Sequence, residues 1–343
     1  MLEKSINLGT DFISSHLHAW WSGSAQGARL EEFARAATMD NFLHLLQSSG
    51  IAVVDSADGV TSALLVRHYG RLCDLERLTD GSVREYVRCQ RLILESENLK
   101  AILNYRYFPE RIGSYQDVLI SFPRPLIEYT DIGELLSVPS LSQFMERLPR
   151  ALQIPAVRAV IEKLDGDRNI MAAECALDNM TYQHELACAQ ALPGEMAEAA
   201  LDLLTYEIDL INTMTLLRNC SFYRMSAEEL GAAWMNGGKR LKRVLWNRLA
   251  DERDIEKLGA QLPAEFSRIT REHAGESLNQ LENLMRRRMM RSARRYFYNG
   301  DKPALALPAY LWLLRFESVN LGRVFEGIRF SLPVRAIQEM LIE

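Results

Sequence analysis

Glu95-Ser-Glu-Asn98, Asp209-Leu-Ile-Asn212 and Glu317-Ser-Val-Asn320 share one pattern: an acid, two spacers and an asparagine. Seven residues beyond each acid stands an aliphatic residue, Ile102, Leu216 or Val324. Ten residues beyond each asparagine stands a phenylalanine, Phe108, Phe222 or Phe330. On a helix of about 3.6 residues per turn, acid, asparagine and aliphatic fall along one face. Leu92, Tyr206 and Leu314, three residues before the acids, join the same stripes. Each stripe is thus apolar but for one polar pair. Such recurrence along a chain is the signature of one helical unit used three times.

A polar pair on a core-facing stripe needs partners, because a buried orphan costs about 1–3 kcal/mol. In the structural reading, the acid and the amide bind backbone groups or an arginine of a neighbouring helix. In the catalytic reading, the carboxylates repeat as active sites. Threefold repetition favours the structural reading, since an active site seldom needs three similar copies in one chain.

Composition agrees with a folded, packed protein. The chain has 343 residues, 48% hydrophobic and 25% charged. That is enough for one large or two to three small cores and excludes wholesale disorder. The net charge of -5 gives no reason to expect nucleic acid. Cys73, Cys89, Cys175, Cys188 and Cys220 form no C-x-x-C pair and read as reduced, buried small hydrophobes. No targeting segment is visible, and no apolar run approaches the roughly 20 residues that span a bilayer.

Chemistry-bearing motifs are not found. Gly237-Gly-Lys239-Arg240 lacks the earlier glycine and the closing hydroxyl of a phosphate-binding loop. His16 and His18 have no carboxylate or cysteine at helical ligand spacing beside them. No catalytic residue, metal or cofactor is expected. The sharpest charge feature is Arg286-Arg-Arg-Met-Met-Arg-Ser-Ala-Arg-Arg295. On a wheel Leu278, Leu281, Met285, Met289 and Tyr296 form its apolar stripe, with Arg287, Arg291 and Arg294 opposite. That face reads as a solvated basic surface, or as a dock for an acidic partner or a lipid surface.

Helical signals dominate, and Gly50 to Val54 is the one tempting strand. Helices are expected at 28–47, 61–75 and 82–107, with Ser82 as a cap. Shorter ones are expected at 130–136, 139–148 and 157–164. Long ones follow at 169–191 and 195–219, and then 239–249, 264–298 and 303–327. A last helix opens at Pro333, and Ser226-Ala-Glu-Glu229 fits a capping box. The breaks suggest three subdomains, 1–125, 126–225 and 226–343, with N-terminal helices free to pack across them.

The three acid-x-x-Asn helices resemble the C subunit of V/A-type ATPases, called subunit d in the vacuolar enzyme. Copy one continues Asn98-Leu99-Lys100, and copy two runs Asp209 to Arg218. Tyr310-Leu-Trp-Leu-Leu-Arg315-Phe-Glu317-Ser-Val-Asn320-Leu-Gly-Arg323 looks like the closing pattern of that family, and Asn236-Gly-Gly-Lys239 is also similar to it. The resemblance implies an all-α fold of three similar helical subdomains in a pseudo-threefold funnel. It implies a non-catalytic central-stalk subunit that links the membrane rotor ring of proteolipid subunits to the central shaft. Such a subunit transmits torque for ATP-coupled proton or sodium transport, and sits peripherally on the cytoplasmic side of the membrane. The repeat positions Glu95, Asn98, Asp209, Asn212, Glu317 and Asn320 are then packing residues, and Arg287, Arg291 and Arg294 a docking face. Two alternatives stay open. One is a helical-repeat scaffold that binds another protein in a concave face; the other is an all-helical enzyme.

Overall fold

The computed structural model describes residues 9–51, 57–107, 119–126 and 170–343. The helices expected at 130–136, 139–148 and 157–164, and Phe108, lie outside these residues, as does most of the tempting strand. The described chain is all-α and contains no strand. Its helices are α1 Thr10–Ser22, α2 Ala28–Ala34, α3 Met39–Ser48, α4 Ala57–Leu78 and α5 Gly81–Tyr107. After the undescribed stretch come α6 Ile170–Gln190, α7 Gly194–Arg218, α8 Ala227–Leu230, α9 Arg243–Leu249 and α10 Ile255–Gln261. The chain closes with α11 Ala264–Glu272, α12 Leu278–Phe297, α13 Ala306–Arg329 and α14 Val334–Met340.

Two helices form the centre because their sequences are apolar nearly all round. Along α7, residues Leu203 to Leu210 are all buried, and along α13 residues Ala306 to Leu314 are all buried. The two pack on each other and on α12. Helix α6 joins α7 to α5, and α5 in turn packs on α4. Helix α1 docks through Trp21, which meets Phe297 edge-on while its indole Nε1 donates to Tyr298 Oη at 3.1 Å. Burying a side chain of that size contributes about 2–3 kcal/mol.

The N-terminal helices do not stay with their sequence neighbours. Phe33, Phe42 and Leu46 of α2 and α3 share a core with Leu321, Val324 and Phe325 of α13 and Ile337 of α14. The two ends of the chain therefore fold together.

Helix boundaries depart from expectation where caps intervene. The 28–47 helix is two, because Thr38 accepts a hydrogen bond from Asn41 N and starts α3 afresh. The 264–298 stretch is likewise two. Gly275 takes φ 92° there, and Ser277 with Gln280 builds a full capping box at the start of α12. Ser82 is not a cap: the helix has already begun at Gly81, with Arg84 N donating to Asp80 O at 3.0 Å. The 239–249 helix starts only at Arg243, because the backbone of residues 239–241 is held elsewhere. Helices α1 and α10 were not anticipated. The box at Ser226 forms as read, with both reciprocal bonds present.

Candidate functional site

The three sequence repeats fall on α5, α7 and α13, and all six polar residues are buried. Their apolar companions are buried with them: Leu92 and Ile102, Tyr206 and Leu216, Leu314 and Val324. Each asparagine makes the same pair of bonds. Asn98 Nδ2 donates to Ile120 O at 2.9 Å, and Ile120 N donates back to Asn98 Oδ1 at 2.9 Å. Asn212 does this with Met235 at 2.8 and 2.9 Å. Asn320 does it with Ile342 at 2.9 and 2.8 Å. One side-chain amide thus satisfies both backbone groups of one residue, as a neighbouring β-strand would. Each asparagine is a clamp on a non-helical segment.

The acids hold the continuation of the same segments. Glu95 Oε1 accepts from Leu126 N at 2.8 Å and from the Tyr69 hydroxyl. Asp209 accepts three consecutive N–H groups, from Lys239 at 3.1 Å, Arg240 at 2.8 Å and Leu241 at 3.0 Å. Those bonds keep residues 239–241 out of a helix. They also explain the glycines before them. A Cβ on Gly238 would stand 2.2 Å from Asp209 Oδ1, and Gly237 adopts φ +109°. Burial pushes the Asp209 carboxyl above its ordinary value, while the three donors oppose that shift.

Copy three is completed differently. Asn320 holds Ile342, but the bonds of Glu317 do not go to the segment beside it. Instead Glu317 Oε1 accepts from Ala25 N at 2.7 Å, and Glu317 Oε2 pairs with Arg67 Nη1 at 2.9 Å. The N-terminal segment stands where copies one and two use their own downstream chain.

A buried ionic network links the clamp helices. Glu207 on α7 lies between Arg286 Nη1 of α12 at 3.1 Å and Arg315 Nη2 of α13 at 3.8 Å. Burial alone would raise its carboxyl, but the two guanidinium groups outweigh burial and hold it below the ordinary value. His68 on α4 is buried and lowered to about 3, first by burial and then by Arg315 and Arg67, so it is neutral. Arg315 also reaches the buried Tyr182 hydroxyl at 3.4 Å.

The arginines of α12 take different roles. Arg286 belongs to the buried network, and Arg288 pairs with Glu265. Arg287 caps the end of α14: its Nε donates to Leu341 O and its Nη2 to Glu339 O, both at 3.0 Å. Arg291 is exposed and Arg294 half-buried. The repeated phenylalanines emerge into solvent, Phe222 at 69% and Phe330 at 64% exposure, with Tyr223 beside the first at 64%. The π-helical turn Asn219–Tyr223 that continues α7 is followed by a left-handed residue, Arg224 at φ 55°, and Phe330 after α13 is followed by another, Ser331 at φ 55°.

One cluster was missed from sequence. Cys89 on α5 meets His184 and Cys188 on α6, their ligand atoms all within 4.8 Å of one another. His184 and Cys188 lie four residues apart on one helix, a signal visible in the sequence; Cys89 reaches them only through the packing of α5 on α6.

No helix among the described residues is long and apolar enough to cross a membrane. A search of curated proteins returned no significant match. The family model for the ATP synthase (C/AC39) subunit matches residues 23–340, a span that takes in all three clamp helices and the N-terminal segment that completes the third, and the chain belongs to that family.

Proposed function

We propose that this chain is the central-stalk adaptor of a V/A-type ATPase, seated between the proteolipid rotor ring and the central shaft and carrying torque between them. Its family is that of the AC39/d subunit of these rotary ATPases. The observation that carries the finer reading is the threefold clamp, with its third copy closed by the N-terminal segment. A torque-carrying adaptor needs stiffness between units. The bonds of Glu317 to Ala25 and Arg67 tie the third clamp helix to the N-terminal segment and supply such stiffness. Three similar subdomains, 1–125, 126–225 and 226–343, around a pseudo-threefold axis suit a funnel that receives a shaft foot. With α2 and α3 packed on α13, the third unit borrows its closing segment from the first range.

The adaptor contributes no catalytic residue, metal chemistry or cofactor to ATP turnover in this reading. It rests on the cytoplasmic side of the membrane, held through the complex. The exposed Phe222, Tyr223 and Phe330 offer apolar anchors at the ends of two clamp helices. Arg291 and Arg294 supply the basic docking face, with Arg287 fixing α14 behind it. The test is reconstitution of the chain with ring and shaft subunits. Wild type should co-purify with both, and Arg291→Glu with Arg294→Glu should weaken assembly while leaving helicity unchanged. A wild-type chain that binds neither partner would refute the adaptor role; full assembly of the double variant would remove the docking face alone.

A further inference from the structure

The pair α5–α6 is stitched by polar links along its length. Gln90 Nε2 donates to Glu185 Oε1 at 2.7 Å, Lys100 pairs with Asp178, and Asn104 donates to Glu174. Beside the first of these links stand Cys89, His184 and Cys188. Cys188 Sγ lies 3.9 Å from His184 Nε2. In a tetrahedral site with Zn–S near 2.3 Å and Zn–N near 2.05 Å, a sulfur and a nitrogen ligand are about 3.6 Å apart. Two sulfurs in the same geometry are about 3.8 Å apart. The Cys188–His184 separation is therefore already close to the one a bound ion imposes, and Cys89 Sγ lies within 4.8 Å of both partners.

We infer that Cys89, His184 and Cys188 form a zinc site that staples the first clamp helix to the helix leading into the second. Two thiolates and an imidazole are the donor set that soft and borderline cations select over calcium or magnesium. Each cysteine gives its proton to solvent as its sulfur binds, so the site forms without oxidant or reductant. Cys89 is buried and His184 exposed, so the fourth coordination position opens to solvent on the His184 side. A water molecule completes the tetrahedron there. The site does not depend on the adaptor role; it stands on the geometry of α5 against α6.

The experiment uses the full chain, purified under reducing conditions and titrated with Zn2+ or Co2+. The expected result is about one zinc bound per chain after dialysis. The Co2+ form should show a thiolate-to-cobalt charge-transfer band. Cys89→Ser and Cys188→Ser should each weaken zinc binding at least about tenfold and remove that band. His184→Ala, at an exposed position, keeps the test decisive if Cys89→Ser misfolds: it should weaken zinc binding while leaving helicity unchanged. Bound zinc should also slow alkylation of Cys188 but not of Cys175. Zinc retained undiminished by the His184 and Cys188 variants, or a Co2+ form without the thiolate band, would overturn the site. So would a chain that binds no zinc when reduced and forms only a Cys89–Cys188 disulfide when oxidised.

Discussion

Replacing Asn212 by leucine tests the clamp most directly. The side chain is fully buried, and it alone pairs both backbone groups of Met235. Leucine has similar bulk but neither donor nor acceptor. The substitution leaves a buried N–H and a buried C=O without partners, each costing about 1–3 kcal/mol, so the total is about 2–6 kcal/mol. Unfolding entropy of about 2.1 cal/mol/K per residue implies that each kcal/mol moves the midpoint of this chain by roughly 1.4 °C. The expected loss is then about 3–8 °C. Thermal unfolding of the intact chain by circular dichroism, checked by calorimetry, measures it. Asn98→Leu and Asn320→Leu should fall in the same range, since each breaks the same two bonds. Asn279→Leu, on an exposed turn of α12, should stay within about 0.5 kcal/mol of wild type. An Asn212→Leu midpoint indistinguishable from that of Asn279→Leu would refute the clamp as a source of stability.

Gly238→Ala should destabilise by several degrees, because its Cβ would press into the Asp209 carboxylate; Gly300→Ala, where nothing lies within 4 Å, should not. Melting curves of the two variants decide this. Glu317→Ala should loosen α2 and α3, since Ala25 N loses its acceptor and Arg67 its partner. Hydrogen exchange of those helices should rise, and unchanged protection would argue against closure by the N-terminal segment. Glu207 sets a pH dependence. Its folded carboxyl is held below the ordinary value near 4.5, so the stability it contributes is full above that value and lost as pH falls below it. Glu207→Gln should therefore lower the denaturant midpoint at pH 7, with the gap to wild type narrowing toward pH 3; a constant gap would contradict the ionic account.

The repeated acid-and-amide pair is legible in the sequence. An acid and an amide three residues apart on an apolar stripe must lie on one buried helix face, and period alone places them there. The all-α class, the long helices and the Ser226 box follow from local chemistry of the same kind. So does the burial of Glu95, Asp209 and Glu317. Their bonds go to backbone N–H groups, the Tyr69 hydroxyl and Arg67.

What the amides hold was not legible. Ile120, Met235 and Ile342 carry no mark that sets them apart from other apolar residues, because the bond is made by backbone that every residue has. The late start of α9 has the same cause: residues 239–241 have helix-forming side chains, and a distant carboxylate takes their N–H groups. Arg286, Arg287 and Arg288 are adjacent in sequence. Only the packing of α12 against α7, α11 and α14 makes one a buried ion-pair partner, one a helix cap and one a surface link. Sequence by itself determined that three helices carry the same buried acid-and-amide pair. Tertiary structure decided that the third copy is finished by the N-terminal segment, and that Cys89 meets His184 and Cys188. Helix periodicity is a property of neighbours along the chain, whereas closure and ligand clusters depend on which distant faces come to share a core.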